Sequence, residues 1–195
     1  MVDDTFLLIG LGNPGREYRD NRHNFGFMLI DRLTVRLDAR GMKLQSKAIV
    51  TSCNHADHKL LLAKPQTYMN LSGTAIQGLA HFYKLPLEKL LVAHDDLDLP
   101  FGTIKLRPGG GPGGQKGVAS TIERLGTKDF ARLRMGIGRP PGRMDPADYV
   151  LQDFSRDEMK AVSAVLDRAA DAALTFVTDG LDLAMNRFNG DLLST

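Results

Sequence analysis

Short apolar runs along the chain predict the strands of a central sheet. The first run, Thr5–Ile9, ends directly before a glycine. Another run, Leu90–Ala93, precedes the segment His94–Asp98, which we expect to be an acidic loop. Two more runs, 48–53 and 60–63, lie on either side of a polar turn at 54–58 and predict a hairpin. The remaining predicted strands are 103–106 and 132–137.

Apolar residues spaced three and four positions apart predict helices between these strands. The clearest helix begins at Ser155-Arg-Asp-Glu158, which has the pattern of a capping box with Ser155 at the N-cap. It ends at Gly180, a favourable C-cap residue. The other predicted helices cover 25–37, 75–83, 118–125 and 182–188.

Strands that alternate with helices predict an α/β fold. We expect a single-domain sandwich over residues 1–195, with a central mixed β-sheet flanked by helices on both faces. Strands joined by a tight turn at 54–58 make the sheet mixed rather than purely parallel. The C-terminal part, 155–188, is expected to be helical.

Composition narrows the class of protein. The chain is 43% hydrophobic and 25% charged, which is typical of a globular domain. No apolar run approaches the ~20 residues of a membrane-spanning helix, so no membrane partner is expected. The acidic N-terminus lacks the features of a signal peptide, and the single Cys53 excludes an internal disulfide framework. We therefore expect a cytoplasmic protein.

Positive charge is concentrated in one segment. Residues 105–143 contain nine lysines and arginines against two acidic residues, whereas the whole chain has a net charge of only +2. Such a segment is either an incidental solvated surface or the binding site of a polyanion such as a nucleic acid.

The segment Gly10-Leu-Gly-Asn-Pro-Gly15 follows a strand and matches the dinucleotide-binding pattern. Two features disfavour that function. Pro14 and the polar residues after it delay the helix to about Phe25, and the acid at the required distance, Asp31, falls inside the predicted helix. Asn13 then either caps a turn or faces a ligand. The loop continues with Tyr18, Arg22, His23 and Asn24.

His23 is the candidate general base. Most single histidines have no catalytic role, so this assignment depends on a partner that orients the ring. Asp95 follows another strand, and if the sheet brings the two segments together it would accept the imidazole N–H. The other ring nitrogen would then remain free to take a proton from water.

The same acidic segment permits a metal-dependent phosphoesterase as an alternative, because oxygen-rich sites bind Mg²⁺. The candidate ligands are Asp95, Asp96 and Asp98 with His94 or His23. No Cys/His set with zinc spacing accompanies them. Ser72 and Cys53 lack the local patterns of a nucleophile, so attack by water is preferred to covalent catalysis.

Two further loops offer binding groups. The segment 64–73 presents Tyr68, Met69 and Asn70, which could hold a peptide or a base edge, although Asn70 or Ser72 could simply cap the next helix. The glycine loop 107–117 combines backbone N–H groups with cations, which suits phosphate. It lacks the Walker A spacing.

These segments follow one another in an order that is more specific than any one of them. They are 10–15 with Tyr18 and 22–24, then 64–73, 94–100, 109–117, 132–138, 178–180 and 186–187. Together they resemble bacterial peptidyl-tRNA hydrolase over essentially the whole chain. The resemblance implies a monomeric hydrolase that acts in translation without a cofactor, a metal or an obligate protein partner. Its partner would be peptidyl-tRNA, held through the acceptor stem, the 5′-phosphate and the 3′-CCA end.

The resemblance also assigns roles to individual residues. His23 is the base held by Asp95, and Asn13 senses the blocked amino terminus of the substrate. The residues implied to line the peptide and 3′-adenosine site are Tyr18, Tyr68 and Asn70. Those implied to clamp the 5′-phosphate are Arg107 and Arg134, with Lys105 adjacent.

One position departs from the family pattern. Where many members have His-Asn in the glycine loop, this chain has Gln115-Lys116. Lysine donates hydrogen bonds but accepts none, so Lys116 could bind an anion but could not accept from an attacking water. A homologue that binds RNA without turnover, of the splicing-cofactor type, therefore remains the alternative to the enzyme.

Overall fold

Eight strands form one sheet in the described part of the chain, residues 4–193 of a computed structural model. The strands are β1 (Thr5–Gly10), β2 (Arg40–Gln45), β3 (Ala48–His55), β4 (His58–Pro65), β5 (Leu90–Asp96), β6 (Thr103–Arg107), β7 (Ala131–Gly136) and β8 (Gly190–Asp191). Their order across the sheet is β2-β3-β4-β1-β5-β7-β6-β8.

The sheet is mixed, as the sequence predicts. Its centre, β4-β1-β5-β7, is parallel, and both sides are antiparallel. The predicted hairpin is formed by β3 and β4. The sequence pattern missed β2 and β8, because both are almost entirely exposed and show no apolar alternation.

Helices cover both faces of the sheet, which confirms the predicted sandwich. They are α1 (Phe25–Arg36), α2 (Ser72–Phe82), α3 (Lys116–Leu125), α4 (Pro146–Val150), α5 (Arg156–Asp179) and α6 (Leu181–Phe188). One apolar core lies beneath α1 and α5, and a second lies beneath α2 and α3. No helix within residues 4–193 is long and apolar enough to cross a membrane.

Two glycines let α1 lie directly against β1. A Cβ atom on Gly10 would lie 2.0 Å from the carbonyl oxygen of Gly26, and one on Gly26 would lie 2.4 Å from the backbone nitrogen of Leu11. The first glycine of the apparent dinucleotide pattern thus serves strand–helix packing. After Gly15, two short 3-10 turns replace the helix that a dinucleotide fingerprint requires.

The helix ends test the capping predictions. Ser155 and Glu158 form the predicted capping box of α5, and Gly180 is its C-cap. Neither Asn70 nor Ser72 caps α2. Ser72 is its first residue and donates its hydroxyl to the carbonyl of Met69, so that interpretation is wrong. The sequence pattern also missed α4, a single short turn of helix capped by Asp145.

The segment predicted as an acidic loop is part of a strand. His94, Asp95 and Asp96 continue β5 and pair with β7, and all three are buried. Polar residues are tolerated here because partners satisfy them within the fold. Successive side chains on a strand point to opposite faces, so the side chains of His94 and Asp95 lie on opposite faces of the sheet.

Candidate active site

A cavity of about 540 Å³ lies beyond the carboxyl ends of the parallel strands, the usual position of a ligand site in an α/β sheet. The residues predicted from the sequence that line it are Asn13, His23, Tyr68, Met69, Asn70, Asp95 and Lys116. The segment 145–151 also lines the cavity, with Ala147, Val150 and Leu151 among its apolar residues. The cavity thus has a polar side formed by the loops and an apolar side formed around α4.

His23 and Asp95 are in contact at the polar side of this cavity. The Nδ1 atom of His23 lies 3.0 Å from Oδ1 and 2.9 Å from Oδ2 of Asp95. The carboxylate is 3% exposed and the imidazole 12%, so the pair is shielded while the ring still reaches the cavity. A carboxylate can only accept, which places the hydrogen on Nδ1 and leaves Nε2 as the basic nitrogen.

Gln115 is a third member of this arrangement that the sequence analysis did not assign. Its Nε2 donates to Oδ1 of Asp95 at 3.0 Å and contacts Sδ of Met69 at 3.3 Å. Its Oε1 accepts from the backbone N–H groups of Gly117 and Val118, at 2.6 and 2.9 Å, and so caps α3. Because both N–H groups hold the oxygen, the NH₂ group is fixed toward Asp95.

Asn13 joins two of the loops. Its Oδ1 accepts from the backbone N–H of Met69 at 2.7 Å, so it does not simply cap its own turn. Asn24 holds the backbone of Asn13 from both sides, accepting from its N–H at 2.9 Å and donating to its carbonyl at 3.0 Å. Among the described residues, none accepts from Nδ2 of Asn13, which therefore remains available to a ligand in the cavity.

Arg22 anchors the loop that carries His23. It is buried and donates to the carbonyls of Gln152 and Asp153, at 3.3 and 2.7 Å, and to Glu158 at 2.6 Å. Its guanidinium also lies 4.4 Å above the ring of Tyr149. These contacts with residues 149–158 fix the position of the neighbouring His23.

Burial raises the pKa of the Glu158 carboxyl, but hydrogen bonds from Ser155 and Arg22 outweigh that effect and the net shift is downward. The carboxylate is therefore charged where it meets Arg22. The loop before α1 is thus held to the start of α5 by a partly buried ion pair.

The exposed residues of the predicted site are less constrained. Tyr68 is 62% exposed at the mouth of the cavity, and Asn70 is exposed beside it. Lys116 is the first residue of α3 and has no ion-pair partner within the described chain. Tyr18 lies on the first 3-10 turn and does not line the cavity, so the structure does not bring it together with the others.

The predicted phosphate residues form a second cavity, of about 230 Å³, which we call the cationic cavity. Arg107 and Arg134 line it beneath the glycine loop, together with Arg132 and His94, which the sequence analysis did not assign to this site. Lys105 pairs with Arg134 across β6 and β7 but does not line the cavity.

The acidic residues considered as metal ligands bind separate partners. Asp95 accepts from His23, Asp96 accepts from Nε of Arg134 at 2.6 Å, and Asp98 accepts from Arg139. Across residues 4–193, we find no group of three or more His, Cys, Asp or Glu residues placed to hold one metal ion.

The comparisons with known proteins agree over nearly the whole chain. A family model for peptidyl-tRNA hydrolase matches residues 7–194. A peptidyl-tRNA hydrolase from Salinibacter ruber is 50% identical over 191 residues, covering 97% of this chain and 100% of the relative. One from Mycobacterium marinum is 49% identical over 185 residues, covering 94% and 97%.

The fold agrees as well. A crystal structure of peptidyl-tRNA hydrolase from Acinetobacter baumannii matches with a TM-score of 0.88 and 32% sequence identity, covering 98% of this chain and 97% of that one. Sequence and structure thus agree over the same residues, and the chain belongs to the peptidyl-tRNA hydrolase family.

Proposed function

We propose that this protein hydrolyses the ester that joins a peptide, or an N-blocked aminoacyl group, to the 3′-terminal ribose of tRNA. The observation that carries this proposal is the pair of His23 and Asp95 at the polar side of the main cavity. A buried carboxylate that orients an imidazole is the arrangement that general-base catalysis requires.

The reaction begins when Nε2 of His23 removes a proton from water as the water oxygen attacks the ester carbonyl carbon. Asp95 stabilises the imidazolium that forms. The carbon–oxygen bond to the ribose then breaks, and the departing 3′-oxygen receives the proton from His23. Asn70 lines the cavity beside this carbon and donates to the carbonyl oxygen as it gains negative charge.

Selectivity for a blocked amino terminus comes from Asn13. Its Oδ1 is held by Met69, and its Nδ2 can donate to the first peptide carbonyl of the substrate. A free aminoacyl group presents an ammonium there, which has no acceptor for this donor. Tyr68 and Met69 contact the peptide or the terminal adenosine, and Tyr18 reaches the substrate from outside the cavity.

Binding of tRNA uses the positively charged segment. Arg107 and Arg134 line the cationic cavity and hold the 5′-phosphate, with Lys105 beside them. Lys116 lines the main cavity at the start of α3, where its ammonium contacts a phosphate near the 3′ end. We propose a cytoplasmic monomer that needs no protein partner for this reaction.

The experiment measures release of tRNA from N-acetyl-aminoacyl-tRNA and from the unblocked ester, with a chelator present throughout. Wild-type protein is expected to cleave only the blocked ester. His23→Ala is expected to lose most turnover but to retain tRNA affinity, while His81→Ala, at an exposed position on α2, serves as the matched control. If wild-type protein binds tRNA and cleaves neither ester, the chain is an RNA-binding homologue and not an enzyme.

A further inference from the structure

His94 is a buried histidine that the proposed reaction does not use. It is 3% exposed and lines the cationic cavity. Its Nδ1 donates to the backbone carbonyl of Asp95 at 2.8 Å. Its Nε2 is buried and has no hydrogen-bond partner among the described residues. A buried polar atom without a partner is rare and points to a ligand that supplies one.

Arg132 adds an independent observation in the same cavity. Its side chain is buried, donates to the carbonyls of Gly111 and Lys128, and leaves Nε without a partner among the described residues. No carboxylate of residues 4–193 forms an ion pair with it, although burial of an unpaired cation is costly. The one carboxylate that lines the cavity, Asp96, is paired with Arg134, so within the described residues Arg132 has no anionic partner.

The strand register places these groups on one face. His94 pairs with Arg134 on β7, which pairs with Lys105 on β6, and Arg132 pairs with Arg107 in the neighbouring row. The cations outnumber the two nearby carboxylates, and the part of the glycine loop that lines the cavity, 109–113, contains only glycine and proline. The charged groups around His94 are Asp95 and Asp96 on β5, Arg132 and Arg134 on β7, and Lys105 and Arg107 on β6.

We propose that His94 is a member of the phosphate site and takes up one proton when a phosphate monoester dianion binds in the cationic cavity. This inference rests on the proposed function, since it takes the ligand to be the 5′-phosphate of tRNA. The inference adds that binding of the tRNA 5′ end is coupled to protonation of His94, a residue that takes no part in the hydrolysis.

The tautomer of His94 explains why a proton is required. A backbone carbonyl can only accept, so the hydrogen of the neutral ring is on Nδ1 and Nε2 carries a lone pair. A phosphate dianion presents lone pairs as well, and the two would repel each other. One proton from solvent between Nε2 and a phosphate oxygen turns this repulsion into a charge-assisted hydrogen bond.

The free protein keeps His94 neutral, so the proton must arrive with the ligand. Burial lowers the pKa of the His94 imidazole, and the nearby Arg132 contributes in the same direction, against weaker opposite effects from the backbone of Asp95 and from Asp95 and Asp96. A phosphate monoester has its second ionisation near pH ~6, so it is mostly a dianion at pH 7.5.

The test is calorimetric titration of the whole protein with a deacylated acceptor-stem minihelix that carries either a 5′-phosphate or a 5′-hydroxyl. Titration at pH 7.5 in two buffers of different ionisation enthalpy gives the protons taken up. We expect the 5′-phosphate to add about one proton relative to the 5′-hydroxyl. Its affinity advantage should fall by up to about tenfold per pH unit above neutrality.

His94→Gln keeps a donor at this position but cannot titrate. We expect it to bind the phosphorylated minihelix without extra proton uptake, while His81→Gln, at an exposed histidine, behaves as wild type. Equal proton uptake for the two minihelices, or unchanged uptake in His94→Gln, overturns the role of His94. If the wild type binds both minihelices equally well, the 5′-phosphate site itself fails, and the proton coupling fails with it. The same titration with inorganic phosphate shows whether the cavity binds a free phosphate anion or only the 5′-phosphate of the minihelix.

Discussion

Replacing Asp95 with asparagine tests how the carboxylate, His23 and Gln115 act together. The two side chains have nearly the same shape, so the fold is expected to persist. In the wild type, Asp95 accepts from Nδ1 of His23 and from Nε2 of Gln115. An asparagine has one acceptor and one donor group for these two positions.

Gln115 determines the orientation of the amide introduced at position 95. Its oxygen is held by the N–H groups of Gly117 and Val118, so its NH₂ group must face residue 95. The oxygen of the introduced amide therefore turns toward Gln115, and its NH₂ group faces His23. That NH₂ group would take the place of Oδ2, 2.9 Å from Nδ1 of His23, so we expect Nδ1 to accept from it. The ring hydrogen then moves to Nε2, the nitrogen that should act as the base.

The expected loss of kcat is the whole contribution of a general base, roughly 10²- to 10⁴-fold. This corresponds to about 3 to 5.5 kcal/mol of transition-state stabilisation. A second substitution should recover part of it. In Asp95→Asn with Gln115→Met, the amide at 95 is free to turn its oxygen back to Nδ1, and we expect at least about a tenfold gain over the single variant.

The assay is single-turnover cleavage of N-acetyl-aminoacyl-tRNA at saturating protein, which reports the chemical step. Asp98→Asn is the matched control, because Asp98 is a partly exposed carboxylate that pairs with Arg139 away from His23. An Asp95→Asn variant within tenfold of wild type would refute the orientation argument. A double variant no faster than the single one would refute the role assigned to Gln115.

Three further outcomes are expected. Arg107→Gln should weaken tRNA binding and reduce the slope of log K against log salt by roughly 0.7 to 0.9, measured by titration at several salt concentrations. Gly26→Ala should lower the free energy of unfolding by about 1–3 kcal/mol or more, because its Cβ would meet backbone atoms, whereas Gly111→Ala in open space should be near neutral in denaturant melts. Burial lowers the pKa of His94, so below about pH 6.5 the unfolded state binds more protons than the folded state. The free energy of unfolding should therefore fall as the pH drops below about 6.5, by up to about 1.4 kcal/mol per pH unit. His94→Gln should remove this dependence.

The central strands and long helices could be predicted because burial leaves a periodic apolar pattern. The run at Thr5–Ile9 and the capping box at Ser155 both correspond to elements of the structure. Exposed elements such as β2 leave no such pattern. The extension of β5 through Asp96 was missed because three polar residues look like a loop until their buried partners are known.

The candidate site was partly predictable for the same reason. The order of the segments predicted His23 as the base and Asp95 as its partner, and the sheet brings the two side chains into contact. Nothing local identifies Gln115 as the partner of Asp95, since that contact depends on where the glycine loop folds back. The departure from the family pattern at 115–116 indicated a role for Lys116 but none for Gln115.

The anchoring of Arg22 has a consequence for the timing of folding. Its hydrogen bonds reach residues 152–158, a separation of 130 positions or more along the chain. Contacts so distant in sequence form late, because loop closure must precede them. A chain emerging from the ribosome can therefore build β1 through β5 while its His23 loop is still unfixed. Activity should appear only after α5 has begun to form, so the site is completed long after the loop that carries its catalytic histidine has been made.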